Sequence, residues 1–372
     1  MIIVFGGTTE GRKAVKELEE AGKPYYYSTK GAGQQITLKN GIRLEGALDF
    51  PALLSFCRTH AIRLLVDAAH PFAEQLHRTV ADVAERLRIP AIRFERIFPP
   101  HDDERIIWCK DYSEAVEQIC VPTLLATTGV QSISKLKPLE AKGTKVYYRI
   151  LERESSMKSA CEQGIDTSVL YYYRRGEDEH NLLRQLHPDG ILLKESGETG
   201  GFEEKVKAAE DLHIRIYAIS RPRTPAVFHR VNGEHGLRRS VEQLLPDFYA
   251  LHSGLTSGSY ATAAAVGAAQ SFLHRKGSGY ILSDGIVEGV VPVILPNRET
   301  VYVPVSYGES SATAIKDSGD DPDVTNGIEI TARVSNSTVA PLSTSRSYRR
   351  RRRHRQDHPE GVRFPHRIGS HQ

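Results

Sequence analysis

Gly6-Gly7-Thr8-Thr9-Glu10-Gly11-Arg12 gathers three glycines, two hydroxyls, a carboxylate and a guanidinium within seven residues near the start of the chain. Glycines let a backbone turn tightly and come close to a pyrophosphate, and the free N–H groups of a helix start, with hydroxyls beside them, can hold its oxygens. The spacing is G-G-x-x-x-G rather than G-x-G-x-x-G, so the same residues also describe a tight turn with no ligand. Two later stretches share this makeup: Thr127-Thr128-Gly129, and Lys194-Glu195-Ser196-Gly197-Glu198-Thr199-Gly200-Gly201-Phe202. Asp67 and His70 add a carboxylate and an imidazole, the pair of types that general acid–base chemistry uses. Each is also an ordinary helix cap or hydrogen-bonding residue in many proteins.

These groups need elements to place them. Ile2-Ile3-Val4-Phe5 is short and wholly apolar, as a buried parallel strand is, and it runs into a helix with Ala14, Val15, Leu18 and Ala21 on one face. Tyr25-Tyr26-Tyr27 gives the next strand and ends at Ser28-Thr29-Lys30, where a dinucleotide-binding domain chooses its cofactor. Hydroxyls and a lysine there suit a 2′-phosphate, hence NADPH over NADH, or else form a plain polar turn. A helix over 51–60 precedes the strand Arg63 to Asp67, so Asp67 and His70 fall at a strand's carboxyl end, where doubly wound sheets bind ligands. Ile89 to Phe94 adds another strand. Thr123 to Gly129 begins a second series of the same kind, continued by strands at Lys145–Tyr148, Val169–Tyr172 and Gly190–Leu193. The alternation predicts an α/β protein with two Rossmann-like parallel-sheet domains whose glycine loops face each other across a cleft. A truncated α+β segment and a disordered basic tail are expected to follow.

Composition limits the function classes. The chain has 372 residues and a net charge of +3, but nine arginines against two carboxylates from Ser335 onward give that tail +7 and leave −4 for the rest. A nucleic-acid role would rest on the tail alone, and none is expected. No run approaches the roughly 18 apolar residues of a membrane span, and the start goes straight into a strand, so no membrane role and a cytoplasmic location are expected. Cys57, Cys109, Cys120 and Cys161 lie far apart and read as reduced thiols, mostly core, with neither a disulfide framework nor a metal site.

Taken together, residues 1–222 resemble the precorrin-6A reductase family of corrin biosynthesis. The resemblance rests on Gly6 to Glu10, on Val66-Asp67-Ala68-Ala69-His70-Pro71-Phe72-Ala73, on Thr127-Thr128-Gly129, and on Lys194-Glu195-Ser196-Gly197 with Gly200-Gly201-Phe202. It implies two Rossmann-like halves with NADPH and a tetrapyrrole between them, and reduction of one ring double bond of precorrin-6A, or of its cobalt form, by hydride transfer. It places the cofactor against Gly6, Gly7, Thr8, Thr9, Glu10, Ser28, Lys30, Thr127, Thr128, Gly129, Lys194, Ser196, Gly197, Gly200 and Gly201. Catalysis would draw on His70, as proton donor, and Asp67. The substrate's carboxylates suit cations in or near the loops and strand ends, namely Arg12, Lys135, Arg174, Arg175, Lys194 and Arg221, of which Arg12, Arg174, Arg175 and Arg221 are the expected substrate contacts. Ala69, Glu195 and Tyr173-Arg174-Arg175-Gly176 depart from the family's usual residues.

From Phe248 to Val334 the chain resembles the start of the cobalt-precorrin-5B C1-methyltransferase family, whose cofactor is S-adenosylmethionine. The features are a hydroxyl and glycine loop, Leu251 to Tyr260, feeding an alanine-rich helix, and the aspartate-rich run Ala314 to Gly327. That run reads either as a cation site or as a solvated acidic turn. The resemblance covers only the first part of that family, so S-adenosylmethionine is expected only if the methyltransferase were complete. The arginine-rich tail, read one base out of frame with suitable codons, becomes glycine-rich as the family requires next. A frameshift is therefore expected in preference to an evolved basic arm. The expected boundaries are 1–121 for the NADPH domain, 122–223 for the second domain, 224–247 for a linker, 248–334 for the partial methyltransferase and 335–372 for the tail. The rival readings are a reductase of another substrate and nucleic-acid binding through the tail.

Overall fold

A computed structural model of the chain describes residues 1–31, 36–98, 101, 103–173, 176–277 and 287–335. The tail beyond 335, and with it the frameshift expectation, lies outside the described residues. Two compact units are present: residues 1–253 with 292–302, and residues 254–291 with 303–372.

The first unit holds two parallel sheets. In chain order its early elements are β1 (Ile2–Phe5), α1 (Thr9–Glu19), β2 (Tyr25–Thr29), β3 (Gly41–Glu45), α2 (Phe50–Thr59), β4 (Leu64–Asp67), α3 (Glu74–Leu87) and β5 (Ala91–Glu95). There follow β6 (Ile106–Cys109), α4 (Tyr112–Gln118), β7 (Thr123–Ala126), α5 (Ile133–Ala141), β8 (Lys145–Leu151), α6 (Glu154–Glu162), β9 (Leu170–Tyr173), α7 (Glu179–Leu186), β10 (Gly190–Lys194), α8 (Phe202–Asp211) and β11 (Arg215–Ile219). Last come β12 (Phe228–Asn232) and α9 (Gly233–Leu244). The first sheet runs β3-β2-β1-β4-β5-β12 and the second β9-β8-β7-β10-β11-β6. Both follow the doubly wound order, with the strand before each glycine loop beside the topological switch point.

Alternation within a single strand covers both sheet faces. Ile2 and Val4 join a core with Ala14, Val15 and Leu18 of α1 and Leu237 and Val241 of α9. Ile3 and Phe5 join another with Leu53 and Cys57 of α2 and Val80 and Val83 of α3. In the second sheet Leu124 and Ala126 pack with Ile133 and Leu136 of α5, whereas Leu125 packs with Leu182 and Leu183 of α7. A strand buried on both faces reads as a continuous apolar run, which is why these strands were legible.

The edges correct the expected boundaries. Phe228 to Asn232, read as linker, pairs in parallel with β5 in the register Phe228↔Ala91, and α9 covers that sheet. Ile106 to Cys109, assigned to the first domain, pairs with β11 of the second sheet, Ile106 opposite Ile216. Each half thus borrows its edge strand from across the chain, and residues 96–105 and 220–227 carry the two crossings. The core of the first half continues past Asp247 to Phe248 and Tyr249, both buried.

The second unit contains α10 (Ser257–Gly277) and most of a sheet in the order β13-β14-β15-β16, formed by β13 (Val287–Ile294), β14 (Thr300–Gly308), β15 (Ser311–Ile315) and β16 (Glu329–Arg333), with β15 antiparallel to both neighbours. This is an α+β segment. Val303, Val305, Ala312 and Ala314 are buried, while Leu273, Val290, Ile315 and Val324 are more than half exposed. The aspartate-rich turn closes on a cation supplied by the chain itself: the buried Lys316 ammonium bonds Asp323 and Thr325. Among the described residues no cluster suited to a metal ion is found. The cysteines form no disulfide; Cys57 and Cys109 are buried, whereas Cys120 and Cys161 are exposed.

Candidate active site

The carboxyl ends of both sheets meet at a cavity of about 390 Å³. The first half contributes His70, after β4, and Arg96, after β5. The second contributes Thr127-Thr128-Gly129 after β7, Arg149 to Leu151 at the end of β8, Tyr173 of β9, Lys194 of β10, and Ser196, Thr199 to Phe202 and Lys205 beyond it. Among the described residues four cations line this cavity, and no carboxylate does. A second hollow of similar size is lined by Thr9, Arg12, Leu151, Glu152, Arg153, Tyr173 and Thr199.

The N-terminal glycine loop is occupied by the protein's own side chain. A Cβ on Gly6 would lie 2.2 Å from the Tyr27 hydroxyl and 2.3 Å from its ring, and one on Gly11 would lie 2.9 Å from the same hydroxyl. Gly7 N–H donates to Tyr27 Oη at 3.1 Å, and Thr8 Oγ1 accepts from Gly11 N–H at 3.0 Å while donating to the Ala68 carbonyl at 2.6 Å. The glycines at 6 and 11 are therefore required by the Tyr27 ring. Glu10 turns toward the second half: its carboxylate, 4% exposed, accepts from Arg96 Nε at 2.9 Å and Thr199 Oγ1 at 2.5 Å. Burial opposes its ionisation, but the charge of Arg96 and these hydrogen bonds outweigh burial and hold its pKa below the ordinary value.

Arg96 also donates to the Ser196 carbonyl at 2.7 Å, and Glu198 N–H donates to the Ile97 carbonyl at 3.0 Å. A Cβ on Gly197, whose φ is +72°, would meet that Ile97 oxygen at 2.8 Å, and one on Gly200 would meet Ser196 at 2.4 Å. The second glycine loop is thus moulded around the 96–98 segment of the first half. Thr127 Oγ1 and Thr128 Oγ1 stay local, bonding the Leu192 carbonyl at 3.2 Å and Ser132 Oγ at 2.6 Å.

Asp67 does not reach the cavity. Its carboxylate is fully buried, 2.5 Å from His77 Nδ1 and 2.9 Å from Arg93, and it accepts from Ala69 N–H at 3.0 Å. Desolvation is outweighed by Arg93 and His77, so it remains an anion that fixes the β4–α3 turn, which corrects its reading as catalytic. His70 does line the cavity, but burial, with Arg96, Lys194 and Arg93 around it, lowers its pKa to about 3. Its Nδ1 accepts from Phe72 N–H at 3.2 Å, which leaves the proton of the neutral ring on Nε2. It can orient a ligand but is no acid at neutral pH.

Lys194 is the unusual cation. Its Nζ sits 5.0 Å from the centre of the Phe72 ring and 5.8 Å from that of Tyr112, and among the described residues no carboxylate reaches it. Burial and the neighbouring Lys135 lower its pKa to about 8. Arg149 is almost wholly buried and pairs with Glu177 at 3.1 Å and with Glu179, yet its Nε has no partner among the described residues.

The structure therefore brings His70, Thr127, Thr128, Gly129, Lys194, Ser196, Gly200 and Gly201 to one cavity, and Thr9 and Arg12 to the adjoining hollow. It does not bring Ser28, which is buried, or the exposed Lys30 to either. Arg221 spends its guanidinium on the buried Glu195 and lies 3.8 Å from the centre of the Phe98 ring. Arg174 and Arg175 lie outside the described residues. Arg96, Arg149 and Lys205 were missed, and Thr199 was named only as part of its loop; Arg96 and Arg149 follow the strands expected to end at Phe94 and Tyr148, but the strand-end argument that selected His70 was not extended to them.

A family model described as "Precorrin-6x reductase CbiJ/CobK" matches residues 1–237. The chain belongs to this family. Its relatives include a cobalt-precorrin-6A reductase of Methanothermobacter thermautotrophicus, 30% identical over 62% of this chain and 81% of that protein. Others are the cobalt-precorrin-6A reductase of Priestia megaterium, 26% identical over 60% and 91%, and the precorrin-6A reductase of Rhodococcus erythropolis, 28% identical over 63% and 94%. The solved structure titled "CobK precorrin-6A reductase" shares the fold, with a TM-score of 0.54 at 19% identity, over 66% of this chain and 97% of that one. Residues 246–345 match a second family, CbiD, the cobalt-precorrin-5B C1-methyltransferases, so the chain joins parts of two families of the same biosynthesis. Among the described residues no helix is long and apolar enough to cross a membrane.

Proposed function

We propose that the first unit reduces a ring double bond of precorrin-6A or its cobalt form in cobalamin biosynthesis, with NADPH and the tetrapyrrole meeting at the cation-lined cavity. The observation that carries this reading is the lining itself: Arg96, Arg149, Lys194 and Lys205 with no carboxylate among the described residues, at the carboxyl ends of two doubly wound sheets. Both ligands are polyanions, and both suit such a cleft. The cofactor, when bound, supplies the hydride.

The chain's own residues do the rest. The Thr127-Thr128-Gly129 turn and the Ser196 to Gly201 loop are the ones open to a dinucleotide, since Tyr27 fills the loop at Gly6. The unpartnered Nε of Arg149 is a buried donor aligned with the need of a phosphate or carboxylate oxygen. The second hollow lies at the end of β8, the position that selects between the two nicotinamide cofactors, and there Arg153, with Arg12 of α1 and with Glu152 on the same lining, offers charge to a 2′-phosphate. NADPH preference is thus assigned to these arginines in place of Ser28 and Lys30. His70 orients the substrate as a neutral donor. A cytoplasmic location agrees with this reading. S-adenosylmethionine has no role in it.

Calorimetry tests the cofactor assignment. NADPH is expected to bind the full chain more tightly than NADH, and Arg153→Ala to lose about tenfold in NADPH affinity, or 1.4 kcal/mol, with NADH unaffected. Equal affinities, or equal losses for both cofactors, would remove the arginines from this role. Reduction of the corrin precursor with NADPH separates this function from that of a reductase of another substrate.

A further inference from the structure

We propose that Lys194 is the proton donor of the reduction, delivering its ammonium proton to the ring atom next to the one that receives hydride. This rests on the reductase reading and extends it to a group that the sequence placed among cofactor contacts and carboxylate-facing cations. Adding hydrogen across a double bond takes one hydride and one proton. NADPH is oxidised to NADP⁺ as its hydride forms one C–H bond, the π pair of the double bond takes up the Lys194 proton, and the amine left behind regains a proton from solvent.

The geometry favours Lys194 over the histidine, the arginines and the other lysine on the cavity wall. The acid sought is one that faces the cavity and parts readily with its proton. His70 faces the cavity but is neutral. Asp67 is an enclosed anion. Arg96 and Arg149 hold guanidinium protons too tightly to give up, and they are engaged with Glu10 and with Glu177 and Glu179. Lys205 is tied to the Gly200 and Gly201 carbonyls at 3.3 and 2.9 Å and to Glu179 at 3.7 Å.

The Lys194 ammonium is held by ring faces, Phe72 from the β4–α3 turn and Tyr112 from α4, with no anion among the described residues to retain the proton. Lys135 from α5 is the charged neighbour that acts on it, and among the described residues the other charged groups lining its cavity, Arg96 after β5, Arg149 on β8 and Lys205 on α8, are cationic. Its sequence neighbour Glu195 points away, into the pair with Arg221 and His101. Cations and burial both weaken the N–H bond, and a group whose pKa lies near the working pH is the best general acid.

The sign of the pH effect follows. The acid is competent while protonated and is lost as pH rises through about 8 in the free enzyme, so kcat/KM for the corrin precursor should fall on the alkaline side there. Bound phosphates and carboxylates would move the corresponding limb of kcat upward. The test uses the full chain in two ways. The rate at which Lys194 is acylated, followed by mass spectrometry, should rise with half its change near pH 8, well below the ~10.4 of an ordinary lysine.

In steady-state assays Lys194→Met should lose about 100-fold or more in kcat while NADPH affinity by calorimetry is retained. Lys194→Arg should move the alkaline limb of any remaining activity upward. Lys194→Met with kcat near that of the native chain, a loss confined to NADPH affinity, or a limb unmoved in Lys194→Arg would each overturn the proposal. If Lys194→Met does not fold, acylation and the arginine variant still decide it. A native chain that binds NADPH but reduces no corrin precursor at pH 7 would overturn the underlying reading, and this one with it.

Discussion

At the scale of single residues, the sequence showed which groups are reactive but not which are already spoken for. Glu10 reads as a loop carboxylate until its partners appear, Arg96 at 86 positions' distance and Thr199 at 189. No local pattern announces such a pair. Removing one member of a buried ion pair strands the other, at a cost of about 3 kcal/mol, so Glu10→Ala should lower the denaturant midpoint accordingly at pH 7. The sign with pH is fixed by the lowered pKa. A depressed carboxylate stabilises above its unfolded value of about 4.3 and loses that contribution as pH falls through the folded one. The gap between native and Glu10→Ala stabilities should therefore be full at neutral pH and shrink below about pH 4. A gap that does not change with pH would mean that the carboxylate is not ionised against Arg96.

At the scale of elements, strand-loop-helix units were legible because strands buried on both faces and amphipathic helices have distinct periods. What each glycine is for was not legible. Gly6 and Gly7 suggest a ligand loop, and the structure fills that loop with Tyr27, which is itself fully buried on β2. Gly197 and Gly200, similar in sequence, are required by the approach of Ile97 and Arg96 from the other half. Sequence carries the need for a missing Cβ but not the identity of the neighbour. Gly6→Ala should overpack against Tyr27 and cost about 1–3 kcal/mol of stability, with NADPH affinity of the folded protein unchanged. Calorimetry on the folded variant distinguishes the cases, since a tenfold loss of affinity, about 1.4 kcal/mol, would return the dinucleotide to this loop. The edge strands were missed for a related reason: the partners of β6 and β12 lie across the chain, and β12, with His229 and Arg230 exposed, is no apolar run.

At the scale of the whole molecule, the boundary of the reductase decides what a shortened chain can do. Composition alone put the end near Asp247, after a stretch rich in arginine and proline. The structure shows that stretch as the sixth strand and the covering helix of the first sheet, and it continues into Phe248 and Tyr249. Tyr249 is 4% exposed, donates to the Glu17 carbonyl at 3.2 Å and lies under Arg238, 4.2 Å from ring centre to guanidinium. Residues 292–302 belong to the same unit, and there Glu299 accepts from Glu234 N–H at 3.0 Å and His235 N–H at 3.3 Å, capping the start of α9 where Asn232 provides no side-chain cap.

A chain ended after Ser253 loses that cap, about 1 kcal/mol, and the Thr300 N–H bond to Asn232 with the other contacts of residues 292–302. One ended after Asp247 loses in addition two buried aromatic side chains, each worth about 3 kcal/mol or more in a core. Against a typical total of about 5–15 kcal/mol for a native domain, the first loss is tolerable and the second is not. Thermal unfolding should therefore rank the native chain first, the Ser253 end a few degrees below, and the Asp247 end largely unfolded at 37 °C, with reductase activity surviving in the first two. Equal melting temperatures for the two shortened chains would show that Phe248 and Tyr249 are not part of the working core.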